Sequence, residues 1–253
     1  MIALVSSDFD GTIRGATGTE GSAKNIEAFT KSDLLRVINS GSNPKKLTDA
    51  VTKVSGKSWD ELSGPFIASG GSMIFEAGKG LIWERPIHDL DKIMRSPEVA
   101  SLRVNDAIRL LSKDGWVEAS LRDQKTSYYV VSLRTESLEL ALDFEGRFNY
   151  AEFRITLNED IYEGGTRIQI TSKDAGKDKV LEFLRDRYGL NNQELAHLGD
   201  DRNDLPAWLI PELLSGVVET AEGDVKAMIP EPKVSILEPS CAGVAKFLYD
   251  IRG

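Results

Sequence analysis

Along its first third the chain alternates short, unbroken apolar runs with segments of helical period. Residues 2–5, Ile-Ala-Leu-Val, lead without a break into Ser7-Asp8-Phe9-Asp10-Gly11, as a strand buried on both faces does when it opens into a loop. Glycines at 11, 15, 18 and 21 mark a connection, and Ser22 then stands to cap a helix that carries Ala23, Ile26 and Phe29 on one face. A second strand is predicted over 34–38. It stops at Asn39-Ser40-Gly41-Ser42-Asn43-Pro44, and a second helix follows over 44–54 with Pro44 in its first turn. Residues 65–84 read as short strands with a tight turn, a hairpin at a domain edge.

The rhythm changes between 85 and 171. One helix is predicted over 99–112 and another over 136–147, among strand-like segments at 127–133, 153–157 and 166–170, so this stretch is expected to form an inserted α+β domain. Beyond it, Val180, Leu181, Phe183, Leu184 and Tyr188 fall at helical spacing within 176–188, closed by Gly189. A buried strand over 195–198 ends in Gly199-Asp200-Asp201-Arg202-Asn203-Asp204, and strand-like pieces at 215–218 and 234–236 precede a helix over 242–251. The expected fold is α/β: a Rossmann-like, doubly wound parallel sheet built from 1–84 and 172–253, with an α+β cap inserted at 85–171.

With 253 residues, 41% of them apolar, the chain can fill one large core or two modest ones. Its formal net charge of -9 and the lack of a basic run argue against nucleic acid as a partner, because phosphate-backbone binding needs a basic face. An anionic ligand must then meet a local positive site, such as a metal. The single cysteine, Cys241, excludes an internal disulfide, fits a reducing compartment, and is expected to be inert packing. No apolar run approaches the roughly 20 residues that span a bilayer, and the opening MIALVSSDFD lacks the basic and apolar regions of a signal peptide. A cytoplasmic monomer without membrane partners is the expectation.

Asp8 and Asp10 stand two residues apart at a strand end, where both side chains can reach the same side of the loop. One carboxylate can attack while the other transfers a proton. In open α/β sheets ligands gather beyond the carboxyl ends of the strands, and the polar clusters after 38 and 198 would open on the same rim. Asp8, Asp10 and Asp200 gathered there would repel one another unless a hard cation sits among them, and oxygen ligands of this kind suit Mg²⁺. Alone, Asp-x-Asp-Gly is often no more than a turn or a calcium-loop fragment; the combination carries the argument.

Four ordered motifs, Asp8-Phe9-Asp10-Gly11-Thr12, Ser40 after a strand, Lys177 opening a helix, and Gly199-Asp200-Asp201-Arg202-Asn203-Asp204, resemble those of the haloacid dehalogenase phosphatase superfamily. The resemblance implies that Asp8 attacks phosphorus to form an aspartyl phosphate, while Asp10 protonates the leaving alcohol and then activates water. It implies Mg²⁺ held by Asp8, the backbone carbonyl of Asp10 and Asp200, with Asp201 and Asp204 around that shell. Phosphate would be bound by Gly11, Ser40, Gly41, Lys177 and Asn203, and Asn203 and Asp204 would also orient Lys177. The insertion between the second and third motifs matches the place of the larger caps of that superfamily, called C2 caps.

Within it, Lys125-Thr126-Ser127-Tyr128-Tyr129 and Asp174-Ala175-Gly176-Lys177 resemble the sucrose-phosphatase-like, Cof-like branch, which implies a small sugar phosphate as substrate and Lys125 and Tyr128 as cap contacts. Where many relatives carry Thr-Gly-Arg, this chain has Ser40-Gly41-Ser42, so a familiar positive charge is missing. His197 reads as a satisfied structural histidine. Two other readings stand beside the hydrolase: a sugar-phosphate mutase like the phosphomannomutases, whose Gly-Gly-Asn-Asp motif is absent, and a non-catalytic sugar-phosphate sensor.

Overall fold

In the computed structural model, which describes residues 1–15, 20–57, 61, 64–102, 108–123, 125–159 and 164–251, the chain begins with β1 (Leu4–Asp8), α1 (Glu20–Lys31), β2 (Leu35–Asn39), α2 (Pro44–Ser55), β3 (Pro65–Ala68), β4 (Met73–Glu76) and β5 (Gly80–Glu84). There follow α3 (Leu90–Met94), α4 (Pro97–Ser101), β6 (Arg109–Ser112), β7 (Gly115–Glu118), β8 (Tyr128–Thr135), α5 (Leu138–Arg147), β9 (Phe153–Glu159) and β10 (Thr166–Ser172). The last third comprises α6 (Lys177–Tyr188), β11 (Leu195–Gly199), α7 (Leu205–Trp208), β12 (Leu214–Val218), α8 (Gly223–Met228), β13 (Lys233–Ile236) and α9 (Gly243–Asp250).

Strand β1 continues past its apolar start through Ser6 and Ser7 to Asp8 because it is paired on both sides, to β2 and to β11. It lies inside an eight-stranded sheet of order β13-β12-β11-β1-β2-β3-β4-β5, with the hairpin strands β4 and β5 antiparallel at one edge. Alternate residues of the parallel strands feed two cores. Val5, Ile38 and Leu198 pack with Ile26, Phe29 and Phe247 on one face; Leu4, Val37, Ile67 and Leu195 pack with Val180, Leu181 and Leu184 of α6 on the other. The chain leaves β1 for β2 on one side and β11 lies on the other, so the carboxyl ends of all three open on one crevice.

A second sheet, β7-β6-β8-β10-β9, draws all its strands from the middle of the chain. One face carries Leu110, Val131, Leu133, Ile168 and Ile170 against Ala141 and Phe144 of α5. By register the opposite face carries Ser132, Gln169, Thr156 and Asn158. The base of this cap rests on the hairpin: Met73, Leu111, Tyr129 and Val130 cluster, and the Tyr129 hydroxyl donates to Glu84 Oε2 at 2.5 Å.

Three expectations change. The helix over 99–112 is instead α4, ending at Ser101, followed by strand β6; residues 103–107 between them lie outside the described residues, as does Gly18. Leu110 and Leu111 fit a helical period as well as a short strand, and pairing of Leu110 with Val131 of β8 decides the matter. Ser22 is inside α1 rather than before it, and its hydroxyl accepts from the Gly15 N–H at 3.2 Å. Cys241 is exposed, not packed.

Candidate active site

Asp8 ends β1 with only 6% of its surface exposed. Strand register puts Asn39 opposite Asp8, with Ser40 next, and puts Leu198 opposite Ser7, so Gly199 and Asp200 follow just beyond. The Asp8-Phe9-Asp10-Gly11 turn is pressed against Asp200: Gly11 has φ +86°, and a Cβ there would collide with the Asp200 carboxylate. Thr12 donates its hydroxyl to Asp200 Oδ1 at 2.9 Å.

Lys177, the first residue of α6, is 3% exposed and spends its ammonium on three oxygens: Asp8 Oδ1 and Asn203 Oδ1, each at 2.6 Å, and Asp204 Oδ1 at 2.5 Å. Asp204 also meets His197 Nε2 at 2.7 Å, and its second oxygen accepts the backbone N–H groups of Asp200 and Asp201. Trp208 Nε1 in turn donates to the His197 carbonyl at 3.2 Å. One fully buried carboxylate thus fixes the loop after β11 and the lysine together.

Burial alone would favour neutral Lys177, but Asp204 and Asp8 outweigh it and hold its pKa above the ordinary lysine range. Asp204, though burial opposes its charge, is held down at about 2 by Lys177 and His197. The other acids move the opposite way. Burial pushes Asp8 well above the usual carboxylate range, with Asp204 and Asp200 adding to it against the pull of Lys177. Burial and the Asp204 charge push Asp200 up to about 7, against the Thr12 hydrogen bond. Burial also raises Asp201, whose side chain accepts from the Arg202 N–H at 2.6 Å, and lowers His197, whose Nδ1 has no hydrogen-bond partner.

Asp8 and Asp204 contact one buried ammonium, with Asp200 and Asp201 close enough to feel its charge, and the excess negative charge is what burial penalises. An oxygen-coordinated divalent cation would relieve it. Among the described residues no three His, Cys, Asp or Glu side chains form a ready cage, but the expected donors are only two carboxylates, Asp8 and Asp200, with the Asp10 backbone carbonyl. This donor set fits Mg²⁺.

The remaining expected residues divide into two groups. Ser40 is buried, and its Oγ accepts from the Ser42 N–H at 3.1 Å; Gly41 beside it is exposed. Asp10 has 47% of its side chain exposed and is ion-paired with Arg14, whose guanidinium lies 5.1 Å over the Phe9 ring. Lys125 and Tyr128 are not brought to the cluster. Lys125 is exposed, and Tyr128 packs in the cap core with its hydroxyl accepting from the Asp123 N–H at 2.9 Å. The cap residue that does arrive is Asn158, whose Oδ1 accepts from Asn203 Nδ2 at 2.9 Å. Beside it a cleft of about 220 Å³ between cap and core is lined by Ser137, Asn158, Thr166, Asp201 and Arg202.

Sequence reasoning missed Thr12, Arg14, Asn39 and Asn158. Thr12 lies inside the quoted motif. Arg14 shows no signal beyond its spacing of four from Asp10. Asn39 is fully buried opposite Asp8, and among the described residues neither carboxamide atom is hydrogen bonded.

The chain matches no protein-family model and no curated protein sequence. Solved structures match it over nearly the whole length. A haloacid dehalogenase-like hydrolase from B. subtilis superposes with a TM-score of 0.76 at 14% identity, covering 98% of this chain and 99% of that one. The chain has the haloacid dehalogenase fold. A Thermotoga maritima protein shares this fold with a TM-score of 0.70 at 20% identity, covering 99% of this chain and 97% of that one. So does a structure described as showing a trigonal-bipyramidal intermediate in a phosphoryl-transfer superfamily, with a TM-score of 0.75 at 14% identity over 100% of this chain and 99% of that one. On the haloacid dehalogenase fold seen here, the buried Asp8 cluster occupies the crevice at the strand switch point, where ligands of open α/β sheets collect. Among the described residues no helix is long and apolar enough to cross a membrane.

Proposed function

We propose that this chain is a Mg²⁺-dependent phosphomonoester hydrolase with Asp8 as nucleophile, acting on a small phosphorylated metabolite, a sugar phosphate. The observation that carries the reading is the buried Lys177 ammonium 2.6 Å from Asp8 Oδ1, with Ser40 and Asp200 beside it. A carboxylate and a fixed cation so close at a sheet's carboxyl rim are arranged for in-line attack on an anionic phosphoryl group.

In this reading an Asp8 oxygen bonds to phosphorus as the ester P–O bond breaks. Lys177, on giving up one of its three present contacts, and Ser40 would hold the non-bridging oxygens, and Asp10 delivers a proton to the departing alkoxide. Asp10 then takes a proton from water as the water oxygen attacks phosphorus and the bond to Asp8 breaks, which releases phosphate and restores the enzyme. Its exposure to solvent suits a group that must gain and lose a proton each turnover. Asp8, Asp200 and the Asp10 backbone carbonyl would hold Mg²⁺, which would supply charge neutralisation when bound. Ser132, Gln169 and Thr156, on the same face of the cap sheet as Asn158, are neutral hydrogen-bonding groups suited to sugar hydroxyls.

The test is phosphate release from a panel of sucrose, trehalose, glucose, mannose and glycerate phosphates, with Mg²⁺ and with chelator. Mg²⁺-dependent release favouring one sugar phosphate is expected. Isomerisation without release would replace the hydrolase by a mutase, and a folded protein that turns over none of them would refute the reading.

A further inference from the structure

The second strand face of the cap reaches the core at two points that flank one residue. Arg154 and Asn158 lie four apart on β9 and so share a face, about 13 Å apart. Arg154 pairs through its two terminal guanidinium nitrogens with the Asp178 carboxylate, Nη2 to Oδ2 at 2.9 Å; Asn158 accepts from Asn203. Asp178 is the neighbour of Lys177, and Asn203 Oδ1 is one of the three oxygens that hold the Lys177 ammonium. The contact has also shaped the core. Gly176, immediately before Lys177, has φ +135°, and a Cβ there would strike the Arg154 guanidinium.

We infer that Asn158 is a positioning residue: it orients the Asn203 carboxamide so that its oxygen, not its nitrogen, faces Lys177, and thereby lets the seated cap set the lysine that meets phosphate. An amide has one acceptor end and one donor end. Turned over, Asn203 would present two N–H donors to an ammonium, and the Asp8–Lys177 geometry would lose a restraint. What prevents the turn is an acceptor on the far side, and Asn158 Oδ1 is that acceptor. The register of β9 comes from its ladder with β10, and the Arg154–Asp178 pair ties the other end of the same strand face to the core.

The inference rests on Lys177 binding phosphate as proposed above, and the experiment separates the two. Steady-state hydrolysis of p-nitrophenyl phosphate with Mg²⁺ would be measured for Asn158→Leu, Asn158→Asp, Asn203→Leu and the double Asn158→Leu/Asn203→Leu, with tungstate binding by calorimetry alongside. Asn158→Leu keeps the branched shape and removes the acceptor; it is expected to lower kcat about tenfold, the value of one hydrogen bond, with KM within about twofold. Asn158→Asp keeps an acceptor and is expected to recover to within about threefold of the parent. The double variant should be no slower than Asn203→Leu, since both substitutions break one chain of contacts. Additive losses, or an Asn158→Leu enzyme as fast as the parent, would overturn the inference while leaving the hydrolase intact. If the parent binds tungstate without hydrolysis, the hydrolase reading fails, and the same non-additivity in tungstate affinity decides the role of Asn158. A parent that does neither removes both.

Discussion

The two sides of Asp8 are built differently. On one, Lys177, Asp204 and His197 are 3%, 0% and 0% exposed, and Asp204 bonds to both of the others. On the other, Asp10 has 47% of its side chain in solvent and an ion pair with Arg14. The buried side is an electrostatic frame whose charges need not rearrange during a reaction, which is where preorganisation is worth most. The open side suits a proton carrier, which has to exchange with water. Substitutions on the frame should therefore cost both stability and rate, whereas those on the open side should cost rate alone.

The largest effect tests the point where the two sides meet. Asp8→Asn removes the nucleophile with little change in volume and should cut turnover by about 10⁴-fold or more while leaving the melting temperature near the parent's; circular dichroism with a phosphate-release assay reads both. Retained activity would show that the nucleophile lies elsewhere. On the frame, Lys177→Met strands the buried Asp204 carboxylate and should destabilise by about 3–5 kcal/mol as well as slow turnover by about 10²–10³-fold. A denaturant titration unchanged from the parent's would break the distinction. On the open side, Asp10→Asn should lower kcat by about 10²–10⁴-fold on a sugar phosphate but much less on p-nitrophenyl phosphate, whose leaving group needs no proton. Equal losses on both would remove Asp10 from the acid role.

A pH titration of stability sharpens the contrast without mutation. The Asp200 proton is held up to about 7 in the fold and near 3.9 in an unfolded chain. Between those values unfolding releases it, so without divalent cations the melting temperature should fall as pH rises from about 5 to 8. Mg²⁺ should restore more at pH 8 than at pH 5; an equal shift at both would place Asp200 away from the cation. The smallest effect is expected from Arg14→Gln. Its pair with Asp10 is half in solvent, worth about 0–1 kcal/mol, so stability should stay within about 0.5 kcal/mol while kcat falls by less than in Asp10→Asn. A large loss of stability would make Arg14 part of the frame.

The same division explains what the sequence disclosed. Asp8 and Asp200 stand where apolar runs stop at polar clusters and could be read from the pattern, whereas Ser40 and Lys177 come only with the resemblance to the haloacid dehalogenase motifs. The parallel core followed from those runs. The cap was harder. Its apolar residues alternate over stretches too short to separate a strand from a helix, which is why 99–112 reads as one helix although 109–112 form β6. Lys125 and Tyr128 stand out by their resemblance to the sucrose-phosphatase-like branch, yet the hydroxyl of Tyr128 is satisfied by Asp123 within the cap. Asn158 carries no local mark at all; its contact with Asn203 spans 45 residues and exists only once cap and core meet.

The solitary thiol of Cys241 is exposed at the end of a short turn preceding α9, on the half of the molecule that carries the large sheet. A maleimide dye would attach at one known place without any engineering of the chain. With a second fluorophore installed on the cap, the distance between the two would become an optical ruler for how the halves move when a phosphorylated compound is added.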